Sequence, residues 1–304
     1  MIWFFIALVG PLLWALVNHT DKFLLSSGVE GGKPGALMII STVVGVIVSL
    51  IVIVFKPDVL QIPLQASITL IITGILISLN ILLYLFALNK SEASVIVPFY
   101  QLIPVIGLVL AYFILGETIS VKELIAGGII LIGAIVLSFE IDAEEGFSFK
   151  YVTSLLMIAA SFLIALSEVV FKAEALESDF WTSIFWQHIG LGIFGIFLLI
   201  FFPTWRRDFV ELIRTNSKKM FFLNAGSETI SILGNLVFSF ATLLAPIALV
   251  MLVNAYQPVF VFIIGIILTI FFPHISVEKI SKKHLIHRSA AIGIVLLGTV
   301  LLYT

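Results

Sequence analysis

The sequence predicts an all-α integral membrane protein of ten transmembrane helices in two inverted five-helix repeats, and three observations carry that expectation. The 304-residue chain is 61% apolar and only 11% charged, where soluble domains average about 45–50% and 25%. Its apolar residues are gathered into uninterrupted runs of membrane-crossing length. Pieces of the first half recur, at fixed offsets, in the second.

Composition also narrows the function. Lys+Arg 16 against Asp+Glu 18 gives a net charge of -2, so no global field draws nucleic acid and no nucleic-acid partner is expected. The absence of cysteine excludes thiol catalysis, disulfides and cysteine-ligated metal or iron–sulfur sites. The expected surroundings are the lipid bilayer of the cell (plasma) membrane, in a multi-pass arrangement.

A hydrocarbon core about 30 Å thick needs roughly 20 mostly apolar helical residues per crossing. Ten segments qualify: Ile2–Val17, Pro34–Phe55, Leu64–Leu88, Ala93–Leu115, Val121–Phe139, Tyr151–Phe171, Phe180–Phe202, Met220–Leu244, Pro246–Phe272 and Leu285–Tyr303. The first lacks a basic n-region and a cleavage site and reads as a retained helix. Uninterrupted runs such as Leu64–Leu88 exclude the alternating ten-residue strands of a membrane β-barrel. The links are too short to fold as a soluble domain, so no extramembrane enzyme is expected.

Basic residues set the orientation. Links after odd-numbered spans hold thirteen of them: Lys22, Lys33, Lys90, Lys150, Arg206, Arg207, Arg214, Lys218, Lys219, Lys279, Lys282, Lys283 and Arg288. Links after even-numbered spans hold three, Lys56, Lys122 and Lys172. Both termini are therefore expected outside.

The repeat is legible in three span pairs. Val97-Pro98-Phe99-Tyr100-Gln101 lies over Val253-Asn254-Ala255-Tyr256-Gln257 at an offset of 156, which also carries Ser120 onto Ser276. Ala15, Leu16 and Lys22 fall on Ala165, Leu166 and Lys172 at 150, and Gly128 and Gly133 on Gly293 and Gly298 at 165. The expected halves are residues 1–140 and 148–304. Five spans per half reverse the second copy, the symmetry carriers use to open a central site alternately to each side.

The stretch Ser94 to Pro104, followed by Leu115-Gly116-Glu117-Thr118-Ile119-Ser120 and the Gly127, Gly128, Gly133 helix, resembles the EamA-type family of the drug/metabolite transporter superfamily. Trp14 and Asn18 to Lys22 resemble a subset of it. The resemblance covers nearly the whole chain as two EamA-like modules, although the second departs from the Gly-Glu turn of the first and carries an inserted basic stretch before the tenth span. It implies a ten-helix carrier or exporter of small metabolites. It also implies cytoplasmic termini, against which the basic-residue count is kept.

Polar residues inside spans mark the expected substrate cavity. Asn224, Glu228, Ser231 and Asn235 stand at i, i+4, i+7 and i+11 on the eighth span, on one helical face. Such a face must meet protein or water, since lipid leaves each group unsatisfied. Interhelical hydrogen bonding is the structural alternative. Thr73, Asn80 and Tyr84 repeat the spacing on the third span. Glu228, near the midplane with no base at its depth, must be neutral, paired or hydrated. It is read as a site of proton coupling, as a partner for a substrate amine, or as a neutral structural group. Glu168 and Lys172 form an i,i+4 pair, read either as a plain ion pair or as a gate. Tyr100, Gln101, Tyr256 and Gln257, beside Pro98, Pro104 and Pro258, are read as pocket or hinge residues, or as packing. Trp14 and Asn18 complete the cavity.

No Ser/His/Asp set, HExxH, phosphate loop or intramembrane aspartate pair is present, so no enzyme, metal or cofactor is expected. The paired glycines serve helix packing and offer a homodimer contact. The function expected is secondary transport of a small organic metabolite, such as proton-coupled export or uptake of an amino acid or amine. Phosphorylated substrates rank low, because only Lys22 and Lys172, near span ends, could meet phosphate. A membrane-embedded sensor or enzyme on the same fold is the alternative.

Overall fold

Prolines, glycines and caps divide the apolar runs into helices. The structure, a computed structural model, describes residues 2–26, 34–88, 97–138, 151–215, 218–271 and 282–303. Among them it holds no strand. In chain order the helices are α1 (Ile2–Ser26), α2 (Pro34–Phe55), α3 (Leu64–Leu88), α4 (Ile103–Leu115), α5 (Val121–Ser138), α6 (Tyr151–Glu177), α7 (Phe180–Phe201), α8 (Pro203–Thr215), α9 (Lys218–Thr242), α10 (Ile247–Leu252), α11 (Gln257–Phe271) and α12 (Lys282–Tyr303).

Local chemistry explains several boundaries. Gly116 ends α4 at φ 66, a left-handed conformation that a side chain would strain. Ser120 and Glu123 open α5 as a capping box: the Ser120 N–H donates to Glu123 Oε2 at 2.7 Å, and the Glu123 N–H to Ser120 Oγ at 3.2 Å. Asp179 caps α7 by accepting the Thr182 N–H at 3.0 Å.

Among the described residues six helical stretches, the sixth being Ile247–Phe271, are long and apolar enough to cross a membrane, and shorter apolar helices cover Phe99–Leu115 and Ile286–Leu302. Large apolar side chains such as Phe5, Phe55, Phe113 and Leu297 are exposed, the inverse of a soluble surface and the one a bilayer covers. The chain is an integral, multi-pass, all-α membrane protein.

Two expected spans are broken. The fourth is a 3₁₀ turn, Val97–Leu102, followed by α4; the ninth is α10, a 3₁₀ turn at Val253–Tyr256, and α11. Both turns fall on the repeated pentads, where Pro98, Pro104 and Pro258 each lack the N–H that continues an α-helix. The seventh link, read as a basic loop, contains helix α8. Its Trp205 and Phe209 pack beside Met38, Ile39, Phe194 and Leu198, while Arg206 and Arg207 lie on other faces of the same helix.

The most extensive helix pairs join the first half of the chain to the second: α3 with α6, α1 with α9, α5 with α12, and α2 with α7. Small residues let them approach. A Cβ on Gly133 would lie 2.8 Å from Val295 Cγ2 and 2.9 Å from its backbone N; a Cβ on Gly298 would lie 2.8 Å from Ile130 Cγ1 and 2.9 Å from its backbone N. Gly133 and Gly298 are thus spent on contact between α5 and α12 within the chain. At Gly128 and Gly293 an added Cβ meets nothing within 4 Å.

Candidate functional site

Helix α9 presents its polar residues to three different neighbours. Glu228 Oε1 accepts from Ser41 Oγ of α2 at 2.8 Å. Two turns further on, Asn235 Oδ1 accepts from Trp14 Nε1 of α1 at 2.9 Å. Another turn along, Ser239 Oγ donates to Glu168 Oε2 of α6 at a long 3.5 Å. The line Glu228, Ser231, Asn235, Ser239 therefore climbs one face for about 16 Å. Its burial changes along the way: Glu228 and Ser231 are half-buried, Asn235 is exposed, and Ser239 and Thr242 are buried. Thr242 returns its hydroxyl to Ser239 O at 2.7 Å, which satisfies it inside its own helix. The face is accessible at its middle and closed toward the C-terminal end of α9.

The first-half face has other partners. Thr73 is fully buried; it donates to Leu70 O at 2.7 Å and receives Gln187 Nε2 of α7 at 3.3 Å, while Ser167 of α6 donates to its carbonyl at 2.9 Å. Asn80 is 7% exposed, and its Oδ1 has no hydrogen-bond partner among the described residues. Tyr84 stands against Tyr100 with ring centroids 5.7 Å apart. Gln101 is buried and Gln257 half-buried. Tyr256 leaves its counterpart's pattern, bonding through its hydroxyl to Thr299 Oγ1 of α12 and meeting the Phe4 ring edge-on at 5.7 Å. Asn18 is exposed on α1. The side chain of Asn224 lies outside the described residues.

The i,i+4 pairing of Glu168 with Lys172 is corrected. Lys172, 4% exposed, directs Nζ to Glu117 Oε1 and to Ala245 O, the latter at 2.7 Å. Glu117 Oε2 also accepts the Ile247 N–H at 2.7 Å. The tertiary partner wins because it gives the buried ammonium both a carboxylate and a carbonyl, whereas Glu168 is turned toward α9. A second ion pair at the same end of the bundle joins Lys56 to Asp179 at 2.9 Å. Burial alone would raise the Asp179 carboxyl; the Thr182 hydroxyl, the Thr182 N–H and Lys56 outweigh that and hold it below the usual carboxylate range.

Sequence reasoning missed Ser41 and Glu117. Ser41 stands beside Thr42 in a largely apolar helix, and no local pattern marks which hydroxyl meets α9. Glu117 stood out only as part of a turn motif, with its partner 55 residues away.

Comparison with known proteins finds the EamA-like transporter family matching residues 1–139. An uncharacterized protein of Methanocaldococcus jannaschii is 31% identical over 100 residues, which are 33% of this chain and 73% of that protein. A solved crystal structure shares the fold with a TM-score of 0.73 at 15% identity, covering 98% of this chain and 95% of the other.

Proposed function

Because this chain belongs to the EamA-like transporter family, we propose that it is a secondary, alternating-access carrier of a small neutral, zwitterionic or cationic organic metabolite, such as an amino acid or amine. The observation that carries this reading is the polar face of α9, an accessible line of Glu228, Ser231 and Asn235 held against α1 and α2 inside an apolar bundle. Such a face is costly in lipid and repaid where it meets water and substrate. Amides, hydroxyls and one carboxylate suit a polar head with a positive charge. A phosphate would need arginine or lysine instead.

Two inverted repeats of five spans supply the exchange of shape that a carrier needs. Support comes from the pairing of α5 with α12, where Gly133 meets Val295 and Gly298 meets Ile130. Each residue of the first contact maps onto one of the second through the same offset that aligns the glycines. The matching 3₁₀ breaks at Val97–Leu102 and Val253–Tyr256 support it as well. We place the protein in the plasma membrane with both termini outside, on the thirteen-to-three basic asymmetry.

The test is uptake into liposomes holding the purified protein, with labelled amines and amino acids first screened by thermal stabilisation. Saturable uptake of at least one stabilising compound, reduced by Asn235→Ala, is expected. A compound that binds and is never translocated would favour a sensor over a carrier.

A further inference from the structure

We propose that Glu117 and Lys172 form a charge latch that closes one end of the transport path; this rests on the carrier reading. Four chain segments meet at that end: the Gly116-Glu117 turn after α4, the last turns of α6, the link after α9 and the start of α10. Lys172 Nζ bonds both Glu117 Oε1 and Ala245 O, and Glu117 Oε2 takes the Ile247 N–H. Glu117 belongs to the first half of the chain, and its two partners, Lys172 and Ile247, belong to the second. Every link in the cluster that involves Glu117 therefore ties half to half.

The pair sits where a closure is needed. Side-chain exposure is 5% for Lys172 and 19% for Glu117, so solvent screens the pair little. Beside it the α9 face is buried at Ser239 and Thr242, whereas the same face is exposed at Asn235. The pair of Lys56 with Asp179 is a second tie between the halves at this end. A carrier that opens here must part Glu117 from Lys172, or carry the four segments away together. Separation leaves a lysine and a glutamate each without a counter-charge, which biases the unloaded protein toward closure. By sequence, the offset of 156 places Pro273, which carries no carboxylate, over Glu117.

The cysteine-free chain permits a direct test. Single cysteines at Ser239, behind the latch, and at Asn235, on the accessible face, are labelled in liposomes by a membrane-impermeant cationic thiosulfonate. Asp58→Cys, in the link beside Lys56, reports which side carries the latch. In the otherwise native protein, Ser239→Cys is expected to label slowly from the latch side and Asn235→Cys readily from the opposite side. Glu117→Gln and Lys172→Gln should speed Ser239→Cys labelling from the latch side about tenfold, and Lys172→Arg should leave it slow. Where a single variant does not fold, Glu117→Gln with Lys172→Met removes both charges and leaves no orphan. Unchanged Ser239→Cys labelling in the folded neutral variants, or labelling as fast in Lys172→Arg as in Lys172→Gln, would overturn the latch. Protection of Asn235→Cys from both sides in every variant would overturn the carrier reading beneath it.

Discussion

In the proposed carrier, Glu228 is the residue assigned to coupling or to a substrate amine. Its carboxylate accepts from Ser41 Oγ at 2.8 Å on a half-buried face. In a proton-coupled carrier, Glu228→Gln keeps the shape of the neutral acid but removes titration. Gradient-driven accumulation should then fall about tenfold or more while exchange of substrate persists. Were Glu228 to bind a substrate amine directly, exchange and affinity would fall together. Accumulation like that of the native protein in the Gln variant would return Glu228 to a structural role. Ser41→Ala should weaken apparent affinity by less, about two- to tenfold, for the loss of one hydrogen bond. Glu228 could be singled out from the sequence because a carboxylate repeated with amides and hydroxyls at helical spacing needs no tertiary information. Ser41 was not, since nothing near it in sequence says which helix will face it. Lys172 shows the limit from the other side: the i,i+4 rule named Glu168, and a distant turn supplied the acid that binds.

At the scale of elements, helix crossings are set by glycines whose environments differ sharply. A Cβ on Gly74 of α3 would stand 1.9 Å from Gln187 O, and one on Gly190 of α7 would stand 2.1 Å from Ile71 O. Backbone meets backbone there, and a methyl group can be admitted only by moving a helix. Gly74→Ala should therefore destabilise by about 3 kcal/mol or more. Gly128→Ala, with open space around it, should be neutral or gain up to about 1 kcal/mol from helix propensity. Thermal unfolding of the two variants in detergent checks the contrast.

The α6–α7 junction gives a further prediction. Asp179→Ala removes both the cap and the tie to Lys56, at about 1 kcal/mol for the cap. Because the folded carboxyl is held below its ordinary value, its stabilisation is present above about pH 4 and is lost as pH falls through the lowered folded value. The melting difference between the native protein and the Ala variant should shrink on acidification across that window.

Element existence was readable from hydropathy, while interruptions were only partly so. Prolines announced that the fourth and ninth spans were loosened, but not that a 3₁₀ turn would occupy each repeated pentad. Helix α8 was hidden because its arginines weighed as loop charge, although Trp205 and Phe209 are spaced i,i+4 on one face.

Taken whole, the molecule is two interleaved halves and not two lobes, since each of its most extensive helix pairs crosses between them. In the proposed carrier, interleaving would let a change of tilt in one half open the path on one side and close it on the other. Orientation follows from charge alone, and the expected outcome is that cysteines at Asn216 and Thr304 label from opposite sides, with Thr304 outside. Outside labelling of Asn216 without Thr304 would reverse the orientation. The expectation of a repeat was drawn from the Tyr-Gln pentads, which are rare against a background of Leu, Ile and Val. The substrate was not visible, because hydroxyls and amides accept many partners and only their joint geometry selects one.

Counterflow puts the central claim to the most direct measurement. Liposomes containing the protein are preloaded with an unlabelled compound that stabilises it, diluted, and given a trace of the same compound labelled outside. A carrier whose site faces one side at a time predicts transient accumulation of label above its outside concentration, present only in preloaded liposomes and lost when Asn235 and Glu228 are both replaced by alanine. Label that merely equilibrates, at the same rate with or without preload, would contradict alternating access through this site.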